Sequence, residues 1–165
     1  MKRYVTFYNM MEEPMPEIPL NFALSPYISV KGASDAIAFY TAAFGAEEQF
    51  RLEEPDGGRI GHSEIRIGGN TIMIADEYPD FGALSPDSLG GSPVKLHLYV
   101  EDVDKVFATA LDAGATELRA LKDEFYGDRT GTIMDPFGHT WMLASKSEEV
   151  SPEEMQKRWQ QMMGG

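Results

Sequence analysis

The sequence predicts an α+β fold made of two tandem β-α-β-β-β modules, and two observations carry that prediction. The second half of the chain repeats the first at a shift of 69 positions: Asp35 meets Asp104, Gly45 meets Gly114, Glu48 meets Glu117, Gly69 meets Gly138, Thr71 meets Thr140, Met73 meets Met142 and Ala75 meets Ala144. Self-similarity at so long a period marks two copies of one supersecondary unit sharing a core. Each copy also runs through the same patterns, strand-like alternation, then helical spacing, then alternation again, with turn residues at matching places.

The first module, residues 22–77, opens with Leu24, Pro26, Ile28 and Val30 alternating with Ser25, Tyr27 and Ser29, the period of a half-buried strand. A helix starts at Ala33 or Ser34, places Ala36, Ile37, Phe39, Tyr40, Ala43 and Phe44 at helical spacing, and stops at Gly45. Strands follow at 47–52, 59–67 and 71–75, divided by Pro55-Asp56-Gly57-Gly58 and Gly68-Gly69-Asn70. The second module, residues 94–146, repeats the order: strand 94–100, helix 103–113, and strands 115–120, 128–134 and 139–144. Residues 1–21 read as an extension with a short strand at Lys2–Asn9. Residues 78–93, rich in proline and glycine, read as a linker that acts as a tether or as a lid over a ligand. In the C-terminal segment, residues 147–165, Ser151-Pro152-Glu153-Glu154 opens a helix striped by Met155, Trp159 and Met162.

Composition narrows the function classes. A length of 165 residues with 42% hydrophobic content suits one compact domain, not two independent ones. The chain has no cysteine, so thiolate metal sites, disulfides and cysteine nucleophiles are excluded, and the compartment reads as cytoplasmic. No run is apolar and long enough for a membrane span. A net charge of −13 repels phosphate backbones, which argues against nucleic acid as a partner.

The paired modules, the phrase Asp135-Pro136-Phe137-Gly138-His139-Thr140-Trp141 and the phrase from Leu96 to Asp104 together resemble the vicinal oxygen chelate superfamily, over residues 22–146. This group holds glyoxalase I, extradiol dioxygenases, and fosfomycin- and bleomycin-resistance proteins. The stretches 127–131 and 67–77 look most like its PhnB-like glyoxalase/bleomycin-resistance branch. The resemblance implies curled mixed β-sheets around a cavity, with helices on the convex side, and a homodimer that the C-terminal helix could reinforce.

Strand alternation then sorts residues between core and cavity. Ser25, Tyr27 and Ser29, Lys95, His97 and Tyr99, His62, Glu64 and Arg66, and Met73 and Met142 should face the cavity. The ungapped repeat sets Arg129, Gly131 and Ile133 against Ile60, His62 and Glu64, which brings Arg129 and Ile133 to the cavity wall. Metal-dependent members of the resembled family place histidine, glutamine or glutamate ligands on the first and last strand of each module. Here Met73 and Met142 fill the closing positions, and Ser25 and Lys95, or Tyr27 and His97 one pleat later, fill the opening ones. Thioethers do not ligate zinc, iron, manganese or magnesium well, so no cofactor is expected.

The expectation is therefore a metal-free protein that binds a small organic molecule, antibiotic-like or aromatic. Tyr27, Ser29, Met73, His97, Tyr99, Ile133 and Met142 would contact the ligand, while His62, Glu64 and Arg129 fix its polar groups. The alternative is an isomerase or lyase in which His62 or Glu64 moves a proton and Arg129 steadies negative charge. A further alternative is a non-standard divalent metal site built from His62, Glu64 and His97.

Overall fold

The computed structural model describes residues 24–164, so the predicted strand at Lys2–Asn9 and the rest of the 1–21 extension lie outside the described residues. The elements are β1 (Tyr27–Val30), α1 (Ala33–Phe44), β2 (Glu47–Glu53), β3 (Ile60–Ile67), β4 (Asn70–Asp76), a 3-10 turn (Pro79–Phe81), α2 (Pro86–Leu89), β5 (Lys95–Tyr99), α3 (Val103–Asp112), β6 (Thr116–Asp123), β7 (Asp128–Met134), β8 (Thr140–Lys146) and α4 (Pro152–Met163). They form two four-stranded mixed sheets of identical topology, β1-β4-β3-β2 and β5-β8-β7-β6. In each, the first strand runs parallel to the last and the other pairs are antiparallel. The order and type of elements match the repeat. Strand β1 starts three residues later than the alternation suggested, because Pro26 has no N–H to pair and offers only its carbonyl, to Met73 N.

Each sheet is covered on one face by its own helix, and α1 and α3 pack against each other. One hydrophobic cluster runs through both modules, joining Ile65, Ile74, Tyr40 and Phe39 with Phe107, Ile133, Trp141 and Leu143. At its centre Phe44 meets Trp141 with ring centroids 4.7 Å apart, and Tyr40 meets Trp141 at 5.4 Å.

Buried carboxylates organise both the modules and their junction. Asp76 accepts backbone hydrogen bonds from Gly32, Ala33 and Ile60, so one side chain satisfies the start of α1 and fixes the entry into β3. Asp135, only 2% exposed, accepts from the Tyr40 hydroxyl (2.7 Å), Trp141 Nε1 (2.9 Å) and the amides of Phe137 and His139. The phenol comes from the other module. Its desolvation, with the Asp135 charge beside it, raises the Tyr40 pKa well above the usual phenol value.

Glycine 131 marks where α3 comes closest to its sheet. A Cβ there would lie 2.5 Å from a Phe107 ring carbon, so only glycine lets the helix settle on β7. The linker is more structured than its composition suggested. Ser85 caps α2, and the Glu77 carboxylate accepts from Ser85 N and from the Ser88 hydroxyl, which holds its pKa down to about 2. At the C-terminal end, α4 sits on the body through Arg158, which pairs with Glu148 and Glu154 and donates to the Phe125 carbonyl. Among the described residues, no helix is long and apolar enough to cross a membrane.

Candidate functional site

Because helices cover only one face of each sheet, the other face of each is open, and alternation decides what it displays. On β1–β4 the open face carries Tyr27, Phe50, Leu52, His62, Glu64, Arg66 and Met73, with Ile28, Val30, Ser63, Ile65, Ile72 and Ile74 turned to the core. Tyr27 on β1 is 58% exposed and Leu52 on β2 is 60% exposed, so the two edge strands flank the face with large uncovered side chains. His62 sits among aromatic rings: Tyr27 meets it edge-on at 5.4 Å, Phe50 lies at 5.6 Å, and the Tyr27 hydroxyl shares a 3.1 Å hydrogen bond with His62 Nδ1. Its other nitrogen lies 3.6 Å from Glu64. Tyr27, His62, Glu64 and Met73 are therefore one cluster, as the alternation predicted.

The open face of β5–β8 carries Lys95, His97, Tyr99, Arg119, Thr130, Thr132 and Met142. His97 and Tyr99 have ring centroids 4.7 Å apart. The Tyr99 hydroxyl donates to Asp128 Oδ2, and this bond, reinforced by desolvation, pushes the Tyr99 pKa up to about 12. Asp128 is buried, and its other oxygen has no hydrogen-bond partner among the described residues but lies 3.3 Å from Lys146 Nζ. The two closing methionines occupy equivalent places: Met73 is registered with Tyr27 and Met142 with His97.

Two sequence placements are corrected. Ile133 is fully buried in the core, not on the cavity wall. Arg129 points to the helix side, where its guanidinium donates to both Asp104 oxygens at 2.8 Å and reaches Asp123 at 3.4 Å. The physical cause is a pair of compensating insertions. β3 contains a bulge, with Leu52 opposite His62 but Glu53 opposite Ile60, so Gly61 is extra. The β7–β8 turn is longer than the β3–β4 turn, since Ile67 pairs with Asn70 whereas Met134 pairs with Thr140. Between the two insertions the ungapped repeat is one residue out of step, which flips every side chain to the opposite face. The true partner of Glu64, opposite Met73, is Thr132, opposite Met142.

Within one chain the open faces are poor in ligands for a metal ion. Among the described residues no three His, Asp or Glu side chains converge where they could hold one. His62 and Glu64 belong to one sheet and His97 to the other. At the registered pairs Tyr27–Met73 and His97–Met142, only His97 offers a good ligand.

Two clefts adjoin β1. One of about 300 Å³ lies between Tyr27, Ser29 and Ala75 and the linker residues Tyr78, Phe81 and Ala83. A second, of about 290 Å³, runs along the β1 edge between Ser29, Leu84, Leu89, Val94, Leu96 and His139. There His139 Nε2 lies 3.1 Å from the Ser29 carbonyl, a contact between the two modules. Alternation along β2 could have found Phe50 and Leu52, which the sequence reading left out. Arg119, Thr130 and Thr132 follow only from the true register.

Two β-α-β-β-β modules of identical topology share one hydrophobic core and leave a polar-aromatic face open on each sheet. Residues 21–143 match the model of the Glyoxalase/Bleomycin resistance protein/Dioxygenase superfamily, and the chain belongs to that superfamily. An uncharacterized protein of Mycobacterium tuberculosis is 47% identical over 137 residues, covering 81% of this chain and 80% of that one. Protein YjdN of Escherichia coli is 30% identical over 141 residues, covering 73% and 92%. The solved structure of an Arabidopsis thaliana gene product, 28% identical, superposes with a TM-score of 0.60 over 74% of this chain and 98% of its own. The fosfomycin resistance protein FosX of Listeria monocytogenes shares the fold, at 16% identity and a TM-score of 0.59 over 82% and 98%.

Proposed function

We propose that this protein binds a small, partly aromatic organic molecule without a metal ion, in a site made from the open face of one module of one copy and the open face of the other module of a second copy. The observation that carries this is the chemistry of the registered pairs. Where a chelating site needs converging oxygen and nitrogen donors, the sheet centres offer Met73 beside Tyr27 and Met142 beside His97, flanked by Phe50, Leu52 and Tyr99. Thioethers and aromatic rings give a polarizable, adaptable wall, while His62 and Glu64 supply a hydrogen-bonding rim.

Assembly across two copies is supported by the large apolar side chains left exposed on the open faces. The exposed Tyr27, Leu52 and Tyr99 leave both open faces uncovered within one chain, which supports a partner on them. A second copy supplies the missing wall through a symmetric interface and covers the exposed aromatic surface.

Thermal denaturation with a panel of planar aromatic compounds tests the reading, since a ligand selective for the folded state raises the midpoint. Binding compounds should lose roughly tenfold in affinity on Tyr27→Ala, the order expected from one aromatic contact. Sedimentation should give a dimer. A panel with no effect on the midpoint, or binding that ignores Tyr27, contradicts the binding claim, and a monomer contradicts the shared site.

A further inference from the structure

The two open faces differ in charge, and the β5–β8 face carries cations that the internal ion pairs of the molecule leave available. Lys95 has no carboxylate within ion-pairing distance among the described residues, although the chain carries a net charge of −13. It stands beside Thr140 in the parallel β5–β8 register, and across the sheet Met142 pairs with Thr132 and Thr132 with Arg119. These side chains and Leu118 line one cleft of about 270 Å³.

Arg119 is only partly committed. Its Nη2 serves Glu124 at 2.8 Å and the Thr130 hydroxyl at 2.7 Å, and the remaining guanidinium donors make no hydrogen bond among the described residues. Its side chain is 43% exposed. Glu124 is also held by Lys122 at 3.4 Å, so its charge is shared between two cations. Two cationic heads with the hydroxyls of Thr132 and Thr140 between them, floored by Met142 and Leu118, make a surface for an anionic group attached to an apolar body.

Resting on the small-molecule reading above, we propose that the ligand is an aromatic anion, its carboxylate or phosphonate held by Lys95 and Arg119 with the Thr132 and Thr140 hydroxyls, and its ring lying on Met142 and Leu118. The β1–β4 face, where Glu64 lies among Tyr27, Phe50 and His62 and the lone Arg66 stands toward the far end of β3, takes the uncharged end. An acidic surface around a cationic cleft also explains selectivity: anions are repelled elsewhere and find favourable potential here.

Calorimetric titration of the full chain with benzoate, phenylphosphonate and neutral benzamide separates the claims. The two anions should bind at least tenfold more tightly than benzamide and weaken with added salt. Lys95→Gln should bring them to the benzamide level, whereas Lys105→Gln, on the exposed surface of α3, should change nothing. The tighter of the two anions assigns the carboxylate or phosphonate source. Anions that bind no better than benzamide, or that ignore Lys95→Gln, overturn the anion subsite while leaving the small-molecule reading intact. If none of the three binds and the aromatic panel also fails, both readings fall.

Discussion

Module one and module two pair their strands identically, and their helix-covered faces are built alike, yet their open faces display different chemistry. On the covered side Ile74 and Leu143 occupy equivalent places, and each sheet receives one helix. On the open side, His62 and Glu64 of the first module stand where the second has Thr130 and Thr132, and Lys95 and Arg119 have no cationic counterpart beside Tyr27. A duplicated unit keeps what its core needs, because packing penalises any change of volume there. The faces that share no core are free to diverge, so the differences between modules point to function more directly than the similarities do.

The largest expected effect lies where the copies meet. Asp135→Ala leaves the Tyr40 hydroxyl, Trp141 Nε1 and two amides without their acceptor inside the molecule. It should cost about 3–5 kcal/mol in urea denaturation, the range for breaking a buried charged network. A loss below about 1 kcal/mol would mean the modules hold together without it.

Next come the equivalent positions Ser63 and Gly131, opposite Ile74 and Leu143. Gly131→Ala must displace Phe107 and should cost about 1–3 kcal/mol. Ser63→Ala removes one hydrogen bond, from the Ser63 hydroxyl to the Ile74 carbonyl, and should cost about 1 kcal/mol. Equal losses would show that α1 and α3 approach their sheets equally closely.

The smallest effect concerns the open-face Tyr99. Tyr99 keeps its proton to about pH 12 when folded because of Asp128, while in the unfolded chain it ionises near 10.0, as an ordinary phenol does. Below that lower value the bond contributes its full stability; between the two, the unfolded state loses its proton first and stability falls as pH rises. Tyr99→Phe should flatten this alkaline decline. An unchanged slope in Tyr99→Phe would contradict the Tyr99–Asp128 bond.

The sequence revealed the modules because turn glycines, helix stops and alternating strands are local signals, and the one-to-one match of Met73 with Met142 survived both insertions. It placed Tyr27, His62, Glu64, Met73, His97, Tyr99 and Met142 on open faces for the same reason: alternation within a strand needs no partner. Arg129 and Ile133 were misplaced because their assignment relied on register between copies, and neither the Gly61 bulge nor the longer Asp135–Gly138 turn interrupts the repeat visibly. Asp76 and Asp135 look like ordinary turn acids in the sequence. Only the tertiary fold brings Gly32, Ile60 and Tyr40 to them.

The central claim, that the open faces receive an organic ligand rather than a metal, is tested most directly by the methyl spectrum of methionine-labelled protein during titration. The account predicts that an aromatic anion shifts the Met73 and Met142 methyls together, leaves Met155 and Met162 of α4 in place, and that added zinc moves neither open-face methyl. Ligand shifts confined to α4, or a stoichiometric response of Met73 and Met142 to zinc, would contradict it.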